Sequence, residues 1–403
     1  MERAELAQLL GAAAGGVSQT APVFLAERDG RSFVTQFAQA VAGSGPVFLG
    51  DPGWAEIQRA WWEPLVAAAT VGGTPGGDRA WLMIPTGGTS GGMRFVRHDQ
   101  DSISAAVRGF CSHFGLTRVN AIGVLPLYHV SGLMAWMRSA LTGGTFLPWD
   151  WKQLEAGQRP ALGDGDWVIS LVPTQLQRLL ASPAAVSWLR GLRVIFLGGG
   201  PVWPDLADAA AAVGLRVSLS YGLTETAAMV TALRPDEFLS GARTSGSALA
   251  HARVTVSDDG TIVVGGESLF HGYYPEYRDG REFDTGDLGR IDASGQLIVL
   301  GRRDAVIITG GKKVQPLEVE AVLRASGEFD DVAVLGVPHP EWGEEVVAFY
   351  PAGARVPNRP LAVASLPGFQ RPKRFVAVPN WPRNAQGKLD REALRRAGAE
   401  LGR

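Results

Sequence analysis

From about residue 80 the chain repeats one pattern: a short apolar run, then a stretch with apolar positions three or four apart. The runs are "AWLMI" (80–84), "AIGVLPL" (121–127), "WVISLV" (167–172), "RVIFL" (193–197) and "RVSLS" (216–220). Between them lie "DSISAAVRGFCSHFG" (101–115), "GLMAWMRSALTGG" (132–144), "PTQLQRLLAS" and "PDLADAAAAVG". In the first of these stretches Ile103, Val107, Phe110, Cys111 and Phe114 share one helical face, with Asp101 as the expected N-cap. Strands apolar on both faces, alternating with helices, need a mostly parallel sheet covered on both sides. The fold class is therefore α/β. Ligands of such sheets sit at the carboxyl ends of the strands, where the glycine- and hydroxyl-rich loops of this chain also fall.

The texture changes after residue 240. "RVTVSDDGTIVVGG" predicts a β-hairpin with Asp-Gly at its turn, and "GRIDASGQLIVLGRRD" a second one. "AVIITGG", the helix "PLEVEAVLRAS" and the strand "DVAVLGV" follow in a mixed α+β segment. The expected division is a large N-terminal region, 1–301, with a small β-rich subdomain at about 240–301, and a small C-terminal domain, 302–403.

Composition excludes several classes. With 403 residues, two or three domains are expected, and a formal net charge of −2 gives no reason to expect nucleic acid or a membrane surface as partner. The single cysteine, Cys111, rules out an intramolecular disulfide framework. "MERAELAQLLGAAAGG" has two glutamates and an arginine in its first five residues, unlike a secretory leader, and no long uncharged apolar segment occurs. A cytoplasmic protein without membrane insertion is expected.

The loop in "WLMIPTGGTSGGMRFVRH" (81–98) has three readings. A Walker A loop needs Gly-Lys-Ser/Thr at its end, where Met93 and Arg94 stand. A nucleophile elbow on Ser90 needs a helix directly after it, whereas "MRFVRH" alternates like a strand. The third is a phosphate cradle, in which glycines let backbone N–H groups converge and Thr86, Thr89 and Ser90 add hydroxyls.

Other stretches bring chemistry to loop positions. "SYGLTETAAM" (220–229) places an aromatic, a hydroxyl and a carboxylate at a strand end. Glu225 could hold Mg²⁺, a hard cation satisfied by one carboxylate plus phosphate oxygens; alternatively Thr224 caps a helix and Glu225 answers its dipole. In "FDTGDLGRI" (283–291), Asp287 could accept from both ribose hydroxyls or sit in a surface turn. "GRRDAVIITGGKKVQPLEVE" (301–320) and "PRNAQGKLDREAL" (382–394), with Lys388, complete the set.

Taken in order, these motifs resemble the adenylate-forming enzymes that activate carboxylic acids: acyl-CoA ligases, adenylation domains of peptide synthetases, and luciferases. The resemblance runs from about residue 80 to the end. It implies ATP, Mg²⁺ and coenzyme A as cofactors and substrates. By it, Thr86, Gly87, Gly88, Thr89, Ser90 and Gly91 embrace the ATP phosphates. Gly198, Gly199, Gly200 and Pro201, with Ser220, Tyr221 and Gly222, lie by adenine; Thr224 meets the α-phosphate and Glu225 the metal. Asp287 and Arg302 hold the ribose, Asp304 is the hinge of a mobile C-terminal domain, and Lys388 reaches the reacting carboxylate. Gly310 and Gly311 let the pantetheine arm pass beside bare backbone. The family's phosphate loop ends in Pro-Lys-Gly; here "GGMRF" stands instead, with Arg94 as the nearest replacement cation.

"LPLYHVSGLMAWMRSALTGG" (125–144) is most similar to the corresponding stretch of the 2-succinylbenzoate–CoA ligase branch, which serves menaquinone and phylloquinone biosynthesis. His129 takes the family's gating position at the acid pocket, with Ser131, Thr174 and Gln175 as further lining. Arg138 lies in a helix otherwise made mostly of apolar residues, where a bare cation needs an anion. It is expected to grip the substrate's second carboxylate, against the alternatives of a structural ion pair or a side chain reaching solvent. Other readings are a ligase for another aromatic or medium-chain acid, an adenylation domain loading a separate carrier protein, and a serine hydrolase on Ser90. A homodimer is an open expectation.

Overall fold

The computed structural model describes residues 1–12, 21–54, 63–64, 80–87, 93–329, 331–353, 361–383 and 389–401. It is an α/β protein that divides into two compact units. The first comprises Met1–Gly199, Val213–Thr255 and Val263–Phe283; the second Gly200–Ala212, Val256–Ile262 and Asp284–Arg403.

The first unit holds two sheets. One has the order β1 (Val23–Leu25), β2 (Val47–Leu49), β3 (Leu82–Gly87), β4 (Met93–His98), parallel except for the antiparallel β3–β4 pair. The other is built from β5 (Asn120–Gly123), β6 (Phe146–Pro148), β7 (Trp167–Leu171), β8 (Val194–Leu197), β9 (Val217–Leu223), β10 (Ala228–Ala232) and β11 (Ser247–Ala248). Its order is β11-β10-β9-β8-β7-β5-β6, parallel from β6 to β9 and antiparallel beyond. All five apolar runs of the sequence pattern contribute strands to these sheets.

Two helices, Gln100–Phe114 and Val130–Leu141, bury residues on several faces because they lie between apolar layers. Ile103, Ala106 and Val107 join Leu82, Ile84 and Leu133 in one cluster; Phe110 and Phe114 turn to Val168, Val194 and Phe196 in another. Trp136 meets Phe37 edge to face at 5.4 Å, tying the second helix to the helix Gly30–Ala42.

One expected helix cap is corrected, and one alternative reading of a helix start falls. The cap before Gln100 is Asp99, not Asp101: its carboxylate accepts from Ser102 N at 2.8 Å, and Ser102 Oγ in turn accepts from Asp99 N. No α-helix starts at Thr224. Thr224–Thr226 form one 3-10 turn after Leu223, because Ala227 and Ala228 take positive φ (50° and 81°) and send the chain back as β10. Gly222 lies where that return passes closest: a Cβ there would sit 2.0 Å from Ala228 O.

Strands β12 (Ala252–Val256) and β13 (Thr261–Gly266) flank the Asp259–Gly260 turn, Gly260 at φ +85°. In the second unit, β14 (Glu282–Ile291) and β15 (Leu297–Arg302) form the other expected hairpin. A mixed sheet follows, from β16 (Ile307–Thr309), β17 (Lys312–Val314), β18 (Ala333–His339), β19 (Gly343–Pro351) and β20 (Arg374–Val378). The helix Pro316–Ala325 covers it through Val319 and Leu323, and the helix Arg391–Leu401 inserts Leu394 among Leu335, Val347 and Phe349.

Candidate active site

In the first unit, β3 and β4 form the arms of a hairpin whose last pairs are Thr86 with Arg94 and Gly87 with Met93. Strand, not helix, follows the loop, so the nucleophile elbow lacks its required turn. Gly88, Thr89, Ser90 and Gly91 lie outside the described residues, as does Lys388.

Glu225 is 8% exposed, and its Oε1 accepts from Tyr273 Oη at 2.7 Å. Its backbone oxygen accepts from Phe270 N at 2.9 Å. Arg94 lies over the Tyr273 ring, 4.0 Å from its centroid. The tyrosine thus joins the edge of the glycine loop to the carboxylate. Burial first, then the charge of Glu225, raises the phenol's pKa, so Tyr273 stays protonated and donates.

Thr224 is held from behind. His98, fully buried, has Nε2 2.8 Å from Thr224 O and Nδ1 3.0 Å from Ser102 Oγ. A carbonyl only accepts, so Nε2 carries the proton and Nδ1 is left to accept. Burial pushes the imidazole down to about 4, leaving it neutral at pH 7. Beside it Asp99 pairs with His271 Nε2 at 2.8 Å. His98, Asp99, His271 and Tyr273 were not singled out in the sequence, because their partners are remote in the chain; His98 and Thr224 are 126 positions apart.

Tyr221 is buried on β9 beside the half-buried Ser220, and opposite Thr231 of β10. Gly198 and Gly199 follow β8, Gly199 at φ +77°. Gly200 and Pro201 belong to the second unit, ahead of the helix Pro204–Ala212.

His129 occupies the N-cap of the helix Val130–Leu141 in extended conformation, without a capping bond from its side chain. Ser131 is exposed in the first turn. Thr174 and Gln175 are half-buried in the helix Pro173–Leu180, where Gln175 Oε1 accepts from Val172 N at 3.0 Å and is engaged in closing the helix start.

Arg138 is 4% exposed and faces the interior. Of the two alternatives, the ion pair is absent: among the described residues its guanidinium meets no carboxylate, and the side chain keeps only a trace of exposure. It lies over Phe110 at 4.0 Å, and Nε has no hydrogen-bond partner. Burial lowers its pKa to about 10, still cationic at pH 7. A desolvated cation–π contact contributes about 2 kcal/mol, less than the several kcal/mol that burying an uncompensated ion costs. Among the described residues no anionic partner offsets that burial.

In the second unit, Asp287, 7% exposed, pairs with Arg302 across the β14–β15 hairpin. Arg302 Nη1 donates to Asp287 Oδ1 at 3.1 Å and to Thr285 O at 2.8 Å, while its Nε donates to Asp304 Oδ1 at 3.3 Å. One guanidinium therefore links the expected ribose carboxylate to the expected hinge residue. Gly310 and Gly311 make the two-residue turn between β16 and β17, φ +55° and +75°. A Cβ at either would meet nothing within 4 Å, so the turn needs these glycines for their backbone angles, with bare backbone beside open space.

Residues 37–274 match the AMP-binding enzyme family, and residues 318–388 match the AMP-binding enzyme C-terminal domain. The chain belongs to the AMP-binding enzyme family. A 2-succinylbenzoate–CoA ligase of Listeria monocytogenes serotype 4b (strain F2365) is 32% identical over 330 residues, 79% of this chain and 70% of that protein. One of Geobacillus kaustophilus (strain HTA426) is 33% identical over 333 residues, 77% and 68% respectively. By structure, the o-succinylbenzoate CoA synthetase of Bacillus subtilis, in complex with its acyl-adenylate, aligns at TM-score 0.78 and 22% identity, over 98% of this chain and 91% of that one.

Proposed function

We propose that the protein is an ATP-dependent acid–CoA ligase that converts 2-succinylbenzoate to 2-succinylbenzoyl-CoA through an acyl-adenylate. The observation that carries the substrate is Arg138: a buried guanidinium without an anionic partner among the described residues, in a chain about a third identical to proteins named 2-succinylbenzoate–CoA ligase. One carboxylate of the substrate reacts, and the other would take two parallel hydrogen bonds from Arg138. His129, Ser131, Thr174 and Gln175 are the proposed lining of the acid pocket.

In the first half-reaction a carboxylate oxygen bonds to the α-phosphorus and pyrophosphate leaves. Charge collects on the phosphoryl oxygens, and the proposed stabilisers are Thr86 to Gly91, Thr224 and Lys388. Glu225 suits Mg²⁺: a lone buried carboxylate with a free oxygen, and no three-carboxylate or His/Cys cage among the described residues, matches a cation that takes one protein oxygen plus phosphates. When bound, the ion neutralises phosphate charge. Gly198 to Pro201 and Ser220 to Gly222 are the proposed adenine contacts, Asp287 and Arg302 the ribose contacts. In the second half-reaction the CoA sulfur bonds to the acyl carbon, the thiol proton is lost, and AMP departs with the anhydride oxygen. Gly310 and Gly311 are proposed to line the thiol's path, and Asp304 to be the pivot between the half-reactions.

The test is incubation with ATP, Mg²⁺, CoA and a panel of acids, with products identified by mass. 2-Succinylbenzoyl-CoA and AMP are the expected products. Pyrophosphate release with other acids and none with 2-succinylbenzoate would overturn the substrate.

A further inference from the structure

Arg138 is not the only unsatisfied polar group in its surroundings. His251, which follows β11, is 5% exposed, and neither of its ring nitrogens makes a hydrogen bond of normal geometry, although the Met229 carbonyl faces the ring. The imidazole packs against the helix Gln100–Phe114 at Gly109, its Nδ1 side nearest: a Cβ on that glycine would fall 1.8 Å from Nδ1. The next residue on the same helix is Phe110, whose ring supports the Arg138 guanidinium at 4.0 Å. The Arg138 charge also reaches the ring, so a buried cation and a buried imidazole, each lacking partners, share the surroundings of the Gly109–Phe110 step of that helix.

The charges around the ring are few. Burial is the main reason the His251 pKa falls to about 4, and Arg138 pushes it the same way; Glu267 opposes and Arg108 adds to the fall. Arg108 and Glu267 are largely spent on each other, 3.1 Å apart and exposed. The histidine is therefore a neutral donor at pH 7. Leaving a buried donor unpaired is costly in a core, and pairing it with a carboxylate is worth more than a neutral hydrogen bond.

We propose that His251 is a second binding residue for the carboxylate that does not react, donating one ring N–H to it beside the Arg138 guanidinium. This rests on the dicarboxylate reading above. The pair makes the far end of the acid pocket a two-donor site for a planar anion, and so selects dicarboxylates over acids with an uncharged group there. A site built to hydrogen-bond a substrate group discriminates strongly against analogues that lack it.

Steady-state kinetics with 2-succinylbenzoate and with its monoester, capped at the non-reacting carboxylate, test this. In His251→Phe, close in size but without a donor, KM for the diacid is expected to rise about tenfold or more with kcat within about twofold, while the monoester is unaffected. His251→Gln, which retains a donor, is expected to recover part of the loss, and its activity on the monoester reports that the pocket is folded. A diacid-to-monoester preference unchanged in both variants, while Arg138→Ala abolishes it, overturns the role of His251 and leaves the substrate standing. A parent enzyme that releases no pyrophosphate with the diacid overturns both.

Discussion

The Tyr273 hydroxyl donates to Glu225 Oε1 at 2.7 Å, and on its ring rests the guanidinium of Arg94, directly after the glycine loop. This fixes the carboxylate's orientation from a segment 48 positions away. Outer partners of a metal-binding carboxylate set its geometry, and their loss typically weakens metal affinity by about tenfold or more. Tyr273→Phe is therefore expected to raise the Mg²⁺ concentration for half-maximal pyrophosphate release about tenfold, without changing KM for the acid. A magnesium titration that superimposes on the parent's contradicts this.

Arg138 predicts opposite effects on stability and activity. Replacing an unpaired buried cation by an apolar side chain of similar volume removes a desolvation cost. Arg138→Met is expected to unfold at an equal or higher temperature than the parent. KM for the diacid should rise by about thirtyfold or more, as the charged hydrogen bonds are lost. Lower stability together with unchanged KM would mean that the charge is satisfied within the fold.

Buried histidines make the fold sensitive to acid. His98 and His251 fall from an ordinary 6.5 to about 4, so each is neutral when folded and protonates below 6.5 when unfolded. Their contribution is fully present above pH 6.5 and lost as pH drops towards 4, about 3 kcal/mol apiece at most. The urea midpoint should fall steadily between pH 7 and pH 5, and less steeply in His98→Gln. A parallel slope in the variant would remove His98 from the account.

Glu320 is fully buried in the second unit; it accepts from Val334 N at 2.7 Å and from Arg391 at 2.7 Å. Arg391 opens the last helix, three residues after Lys388. Glu320→Ala strands the half-buried Arg391 guanidinium, a loss of about 3 kcal/mol. Glu320→Gln, which still accepts from Val334, should lose less. Equal urea midpoints for the two variants would contradict the ion pair.

Lys388 is proposed to act in the first half-reaction alone. Lys388→Ala is expected to lower adenylate formation by about a hundredfold or more, since one charged transition-state contact is removed. Thioester formation from supplied acyl-adenylate should stay within a few-fold. Equal loss of both would contradict a lysine that acts only before the anhydride exists.

Apolar runs and turn residues made much of the fold legible: β7, β8 and the Asp259–Gly260 hairpin fall where the pattern puts them. Before residue 80, β1 and β2 are three residues each and too short to show a period, whereas the helix Gly30–Ala42, with Phe33, Phe37 and Val41 four apart behind the Asp29 cap, carried a readable signal that went unused. Asp99 and Asp101 offer the same capping chemistry on either side of Gln100, and the reciprocal bond from Ser102 decides between them. The alternative of a helix starting at Thr224 falls because positive φ at two alanines is a tertiary demand that no propensity announces. Arg138 was legible as a cation among apolar neighbours. His251, in "ALAHARV", carries no such contrast and becomes visible only through what surrounds it.

The fit of His251 against Gly109 has a consequence for how this sequence can drift. Any side chain at position 109 collides with the imidazole, so the helix tolerates growth there only if 251 shrinks in the same step. A library randomised at both positions, sorted for folding alone, should return bulk at one or the other and never at both. Sorted for diacid turnover, it should return the parental pair.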